Sequence, residues 1–402
     1  MTSHINQKSF STRAVHAGER LNLAGVNPVV APIYPSVGYT FADSRDLDAV
    51  LGNEKAGFVY STRYANPTVT AFETAVANLE GGEDAYAFSS GMAAIHLALL
   101  AAGVQAGSSV VAAADVYGAT YTLLQGIFTT LGARVHLVDV LDLDTVRQTV
   151  AGEKPVALLV EVISNPLMKV ADLPRLAEIA HTEGALFLVD NTFCSPYLCN
   201  PIQFGADMVI HSATKFISGH GDVMAGIVVT TAALKEKLLA LNKLIGSSMG
   251  PFEAWLALRG LKTLALRMRQ QCANALTLVQ WLKTHPKIKQ VNYAFLPDHP
   301  QYELMQMLSN GKGAGGVFSF EIAEAGKAEV FAFMDALELI QPATSLGDIY
   351  SLVLYPAISS HRTLTPEERS ALGISDGLVR VSAGIEDVAD IQADIERALA
   401  AI

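Results

Sequence analysis

Between residues 64 and 255 the chain keeps switching between two periods. Short β-rich apolar runs recur at 109–113, 156–163, 186–189, 208–210 and 226–230, with helical stretches such as 173–183 between them. Parallel strands need a long crossover, and a helix supplies it. The alternation predicts an α/β fold with a mostly parallel sheet covered by helices on both faces. It also predicts where a ligand sits, because such sheets bind beyond the carboxyl ends of their strands.

The flanks read differently. Residues 1–63 are rich in Pro, Gly and Ser, lack sustained periodicity, and are punctuated by Pro28, Pro32 and Pro35. They read as an extended arm, for which a neighbouring subunit is one candidate resting place. Residues 256–402 open on a long helical pattern at 258–282. A Gly-rich segment then leads to a strand candidate at 317–322, an alternating run at 377–382 and a final helix at 387–401. Ile391, Ile395 and Leu399 share one face of that helix. This third region reads as a smaller α+β domain, and no internal repeat is present.

Composition closes off several classes. Half of the 402 residues are apolar and 17% are charged, which excludes a disordered chain. So few charges also fit a surface partly buried between subunits. Lys and Arg total 28 against 39 Asp and Glu, a formal net charge of -11 with no basic cluster, so no nucleic-acid partner is expected. The longest mostly apolar stretch, 92–104, is interrupted by His96 and is too short to span a bilayer, so no membrane partner is expected. His4, Lys8, Arg13, Glu19 and Arg20 leave no apolar core for a signal peptide. Cys194, Cys199 and Cys272 form no disulfide framework, which points to the cytoplasm. The first two have no His or Cys partner nearby, so no metal site is expected.

Polar residues stand just past the predicted strands. They are Tyr117, Asn165, Asp190 and, in Ser212-Ala213-Thr214-Lys215, a lysine. Each alone has an ordinary explanation, since an Asp or Asn at a strand end commonly caps a turn and a lysine is commonly solvated. Lys215 ends an apolar strand after small polar residues. Desolvation there would lower its ammonium pKa and make it a nucleophilic amine suited to Schiff-base chemistry. Asp190, one strand over, could then pair with a pyridinium nitrogen, as pyridoxal phosphate (PLP) catalysis requires. Ser90, Gly91 and Met92 precede an apolar helical pattern and could cradle a phosphate, although an ordinary helix cap looks the same. Ser212 and Thr214 could add hydroxyls, and Tyr60 and Arg63 a phenol and a guanidinium, unless the latter two form a surface turn. Arg380 interrupts the apolar run at 377–382 and needs an anion, either a substrate carboxylate or a structural partner.

Taken together, these residues resemble the Cys/Met-metabolism family of PLP enzymes, which includes methionine γ-lyase, cystathionine γ-lyase, cystathionine γ-synthase and the homoserine-ester sulfhydrylases. The most specific matches are Asp190-Asn191-Thr192-Phe193 and the run from Ser212 to His220. Others are Asn66-Pro67-Thr68, Ser90-Gly91-Met92-Ala93-Ala94 and Ser345-Leu346-Gly347-Asp348. The resemblance covers nearly the whole chain. It implies PLP fold type I, the aspartate-aminotransferase-like architecture. It implies Lys215 as the lysine that holds PLP through a Schiff base and moves protons, Asp190 as the pyridinium partner, and Tyr117 as the ring-stacking acid/base. Gly91, Met92, Ser212 and Thr214 are implied as phosphate ligands, with Tyr60 and Arg63 donated by a neighbouring subunit. Arg380 is implied as the α-carboxylate clamp, helped by Asn165 and the Ser345 backbone. A homotetramer built as a dimer of dimers is implied as well.

Three departures bear on the reaction. Two residues, not one, separate Tyr60 from Arg63. Ala119 stands where well-studied methionine γ-lyases have a cysteine. Thr344 stands where cystathionine-processing members often have a glutamate, which removes an anionic partner for a distal ammonium. Tyr350 and Tyr355 are expected near the substrate side chain, pointing to a less charged leaving group. The leading expectation is a lyase that eliminates the γ-substituent of an L-amino acid, methionine γ-lyase-like or cystathionine γ-lyase-like, giving a 2-oxo acid and ammonia. Its rival is γ-replacement on an O-acyl-homoserine, as in cystathionine γ-synthase or a sulfhydrylase. A specialised member acting on a halogenated or unsaturated amino acid, and a PLP-fold binding protein without catalysis, complete the set.

Overall fold

The computed structural model describes residues 5–19, 28–52, 54–61, 65–360, 362 and 365–402. Among them, seven strands form the larger sheet: β1 (Asp84–Phe88), β2 (Ser109–Ala113), β3 (Arg134–Val138), β4 (Ala157–Glu161), β5 (Leu186–Asp190), β6 (Met208–His211) and β7 (Gly226–Thr230). Their order is β1-β7-β6-β5-β4-β2-β3. Strands β6, β5, β4, β2 and β3 run parallel, and β7 runs against both its neighbours. The α/β fold with a mostly parallel sheet is as the alternation predicts.

Both faces of this sheet are covered. Val111 and Ala113 pack into one buried cluster with Phe72 and Leu176. Val110 and Ala112, pointing the other way, pack into a second with Ile95, Leu97 and Leu238. This two-sided burial explains the near-continuous apolar runs of the sequence. β1 and β3 escape the sequence reading. β1 alternates two alanines with Tyr86 and Phe88, and alanine carries little strand preference. β3 is an edge strand bearing Arg134 and His136.

The smaller sheet joins β8 (Ile288–Asn292), β9 (Val317–Ile322), β10 (Gln341–Pro342), β11 (Leu352–Leu354) and β12 (Leu378–Ser382) in the order β10-β11-β12-β9-β8. The helical pattern at 258–282 breaks into two helices, Pro251–Leu261 and Leu264–Leu282. Gly260 lies so near the Ser218 backbone that a Cβ there would meet the Ser218 carbonyl at 2.0 Å. The buried Arg267 guanidinium donates to the carbonyls of Phe216, Ile217 and Gly260, drawing the break onto the segment after Lys215.

The described residues of the N-terminal arm include the short helices Phe10–His16 and Ser44–Leu51, the second capped where Asp43 accepts the Arg45 N–H. Its proline-rich part docks on the helix Pro67–Glu80. The Asn66 side chain accepts the Thr68 N–H and donates to the Tyr34 carbonyl and the Ser61 hydroxyl. Among the described residues no helix is long and apolar enough to cross a membrane.

Candidate active site

The carboxyl ends of β2, β4, β5 and β6 open onto one cavity of about 250 Å³, closed by Thr344, Leu346 and Arg380 from the region of the smaller sheet. Its floor is the start of the helix Gly91–Ala101. Ser90 caps that helix, its hydroxyl accepting the Ala93 N–H at 3.1 Å, which leaves the Gly91 and Met92 N–H groups at the positive end. A Cβ on Gly91 would lie 2.8 Å from the Ser212 Cβ, so only glycine allows the helix this close to Ser212. Together these make a cradle for an anion.

Asp190 ends β5. Its Oδ1 accepts the Thr192 N–H at 2.9 Å, and the Thr192 hydroxyl accepts the Ser212 N–H at 2.8 Å. Burial pushes the Asp190 carboxyl up, while Thr192 and His211 pull it down. A carboxylate so placed favours a cationic partner over water.

Lys215 follows β6, and its Nζ donates to the Ser345 hydroxyl at 3.1 Å. Burial first, then the Arg380 charge, lower its pKa, with Asp348 opposing them. The desolvation expected for an amine after an apolar strand therefore has a structural cause. Arg380 on β12 is buried, its Nη1 donating to Asn165 Oδ1 at 3.2 Å and its Nη2 to the Ser345 carbonyl at 3.0 Å. Burial pushes its pKa down to about 10, and its buried Nε has no hydrogen-bond partner. A guanidinium that lines a cavity with donors left over is a seat for a carboxylate.

Tyr117 heads the short helix Gly118–Thr122 and lines the cavity. Its N–H donates to Glu161 Oε1 at 2.6 Å. The structure thus gathers Ser90, Gly91, Met92, Tyr117, Asn165, Asp190, Ser212, Thr214, Lys215, Thr344 and Arg380 around one space. Ser345 joins them through Lys215 and Arg380.

Other expectations fare differently. The Thr214 hydroxyl donates to the Ala225 carbonyl and accepts the Ala225 N–H, so it closes a loop before it can serve an anion. Tyr60 bridges Gly38 and stands about half exposed, away from the cavity of its own chain. Arg63 lies outside the described residues. The tyrosines expected beside the substrate are not there. Tyr355 is buried in the core with its hydroxyl on the Asp376 carbonyl, and Tyr350 stands exposed without lining the cavity. Tyr350 stands before β11 and Tyr355 directly after it, and neither lines the cavity. The sequence pattern does not single out Glu161, which lines the cavity. It is the one acid inside the run 156–163, and a charge breaking a buried run was the available signal.

The sequence of the Cys/Met metabolism PLP-dependent enzymes, taken as a family profile, matches residues 11–400. The chain belongs to that family. Its cofactor is PLP, and the cavity suits it on the chemistry of its groups: an anion cradle at a helix start, a desolvated amine, a buried carboxylate and an unmet guanidinium donor. The O-succinylhomoserine sulfhydrylase of Pseudomonas aeruginosa is 41% identical over 404 residues, covering 100% of this chain and 98% of its own. The L-methionine γ-lyase of Fusobacterium nucleatum subsp. nucleatum is 40% identical over 401 residues, covering 98% and 99%. Among solved structures, the cystathionine γ-synthase of Xanthomonas oryzae pv. oryzae with aminoacrylate and cysteine superposes with a TM-score of 0.90 at 38% identity, covering 98% of each chain. Family members thus include both lyases and γ-replacement enzymes.

Proposed function

We propose that the chain catalyses γ-elimination on a γ-substituted L-amino acid with an uncharged side chain, releasing a 2-oxo acid and ammonia. The observation that carries this reading is the contrast within the cavity. Arg380 lines the cavity with its charge and with N–H groups not taken by Asn165 or Ser345, which suits an α-carboxylate, while Ile163, Phe193, Met224, Thr344 and Leu346 offer no charge to a distal group. The likeness to a methionine γ-lyase supports the same reading.

When bound, PLP accepts the electrons released as a bond to the substrate α-carbon breaks. The rest is the work of side chains. The Gly91 and Met92 N–H groups hold the phosphate, with Ser90 and Ser212 beside them and Thr214 joining if its hydroxyl leaves Ala225. Asp190 holds a proton on the ring nitrogen by its negative charge. Tyr117 covers the ring. Arg380, steadied by Asn165 and the Ser345 carbonyl, orients the substrate carboxylate. Lys215 Nζ, held by the Ser345 hydroxyl, takes the α-proton, and it serves as base at the β-carbon only after giving that first proton up. Tyr117 Oη gives a proton to the departing γ-substituent. Proton transfers by positioned groups contribute about 10²–10⁴-fold each.

The same reading sends Tyr60 and Arg63 of the arm, residues 1–63, to the phosphate of a neighbouring subunit. Tyr60, half exposed and not lining the cavity of its own chain, supports it. Residues 64–255 then form the cofactor domain and 256–402 the smaller one, in a cytoplasmic homotetramer.

The second reading is γ-replacement, in which a thiol rather than water completes the reaction on an O-acyl-homoserine. The 41% identity to a sulfhydrylase favours it. Product analysis separates the two. The PLP-loaded enzyme is offered L-methionine, L-cystathionine, O-acetyl-L-homoserine and O-succinyl-L-homoserine, each with and without a thiol. Release of 2-oxobutanoate from methionine without thiol is expected. Consumption of thiol with little 2-oxo acid formed would place the chain among the transferases.

A further inference from the structure

Glu161 is the titratable residue lining this cavity that the roles above leave unused. It pairs in register with Asp190 across β4 and β5, and parallel register partners present their side chains on the same face of the sheet. Two carboxyls therefore stand side by side at the carboxyl ends of adjacent strands, both in the cavity wall.

Their surroundings differ. Asp190 receives the Thr192 N–H and side chain and faces His211. Glu161 receives one donor, the Tyr117 N–H at 2.6 Å. The other titratable groups that face it are Asp190 on β5 and Asp115 in the turn after β2, both acidic, and Asp115 is itself 3.7 Å from Lys169. Like charges this close in a desolvated site do not both ionise, and the better-solvated partner keeps the charge. Burial and then the Asp190 charge push the Glu161 carboxyl well above the usual carboxylate range. The hydrogen bond to Tyr117 also joins two crossovers, since Tyr117 follows β2 and Glu161 ends β4.

We propose that Glu161 is a positioning residue for the cofactor ring: the uncharged neighbour of Asp190, whose carbonyl oxygen fixes the turn that presents Tyr117. The inference rests on the cofactor site described above. A glutamine supplies the same acceptor without a titratable proton, so it should substitute. A leucine removes the acceptor and strands a buried N–H.

The test uses full-length holoenzyme and two variants, Glu161→Gln and Glu161→Leu. The readouts are the PLP dissociation constant and the visible circular dichroism of bound PLP, which reports how the Tyr117 ring lies against it. E161Q should keep the affinity within about twofold and retain the dichroism. E161L should weaken binding about tenfold, the scale of one buried donor left unmet, and lose dichroic amplitude. Unchanged affinity and dichroism in E161L would overturn the proposal, as would an E161Q as defective as E161L. Should E161L not fold, E161Q decides alone. The pH titration of its bound-PLP absorbance should overlay that of the parent enzyme, and a displaced titration would mean that Glu161 is charged. A parent enzyme that binds no PLP, or whose PLP absorbance is unaltered in Lys215→Ala, would instead bring down the cofactor site itself.

Discussion

Arg380 on β12 donates through Nη1 to Oδ1 of Asn165, 3.2 Å away in the turn that follows β4. The bond ties the smaller sheet to the larger one across 215 positions of sequence. It also spends only part of the guanidinium: one N–H of Nη1 goes to Asn165 and one of Nη2 to the Ser345 carbonyl, the second N–H of each is left over, and the buried Nε has no partner.

Arg380→Lys should therefore fail although it keeps the charge. An ammonium cannot reach Asn165, Ser345 and a carboxylate in one planar fork. Hydrogen bonds to charged groups contribute roughly 1.5–3 kcal/mol each, so kcat/KM should fall about 10²-fold, mostly through KM. Steady-state kinetics on the best amino-acid substrate checks this. An R380K enzyme with unchanged KM would show that the carboxylate sits elsewhere.

Lys215 should reveal itself in stability as well as in activity. Burial and Arg380 lower its pKa, so between the folded pKa and the unfolded value of about 10.4 the unfolded chain binds more protons. Stability linked to Lys215 then falls as pH drops through that window and does not recover below it. Replacing the lysine by methionine removes this burden. Lys215→Met should lose at least about 10³-fold in activity, the scale of a positioned proton-transfer group, yet melt higher than the parent as PLP-free protein at pH 7. Calorimetry of both PLP-free proteins reads the difference, and a lower melting temperature for K215M would mean that the Ser345 hydrogen bond outweighs desolvation.

A second buried acid lies far from the chemistry. Glu73, on the helix Pro67–Glu80, accepts the Ala87 N–H at 2.9 Å, and burial raises its pKa to about 7 against a weaker pull from Lys235. Here the folded state holds more protons between about 4.5 and 7, so stability contributed at acid pH is lost as pH rises through that window. A glutamine keeps the acceptor for Ala87 and never ionises. Glu73→Gln should match the parent at pH 4 and exceed it above pH 7, by at most about 3 kcal/mol if the whole shift counts. Urea melts at the two pH values measure it. Equal stability at both would place the Glu73 pKa near its ordinary value.

What the sequence made legible follows from where the signals lie. Lys215, Asp190 and Asn165 announce themselves because each polar residue closes a run of apolar ones, and the strand end is also the ligand side of a parallel sheet. Arg380 is visible for the same reason on β12. Glu161 was hidden by the same rule, because the strand was read through to residue 163 and its terminal acid became an interior one. The Lys215–Ser345 and Arg380–Asn165 bonds had no local trace, spanning 130 and 215 positions. Tyr350 and Tyr355 misled because nearness in sequence to Ser345 was taken for nearness in space. β11 lies between them, and the chain leaves Tyr350 exposed before it and buries Tyr355 after it.

Thr344 offers the most direct handle on substrate choice. It lines the cavity next to Ser345, whose carbonyl and hydroxyl hold Arg380 and Lys215, so a side chain at 344 lies within reach of whatever extends from the α-carbon. A neutral hydroxyl there gives a distal ammonium no counter-charge, and the rest of that wall is apolar. Thr344→Glu should therefore raise kcat/KM for cystathionine, which carries a second ammonium, about tenfold, the order of one partly buried charge-assisted hydrogen bond. The same substitution should lower kcat/KM for methionine by a similar factor, because the new carboxylate must be desolvated without a partner. Competition between the two substrates in one reaction measures the ratio directly. If T344E gains nothing on cystathionine, the substrate side chain points away from residue 344, and the uncharged wall is not what selects the leaving group.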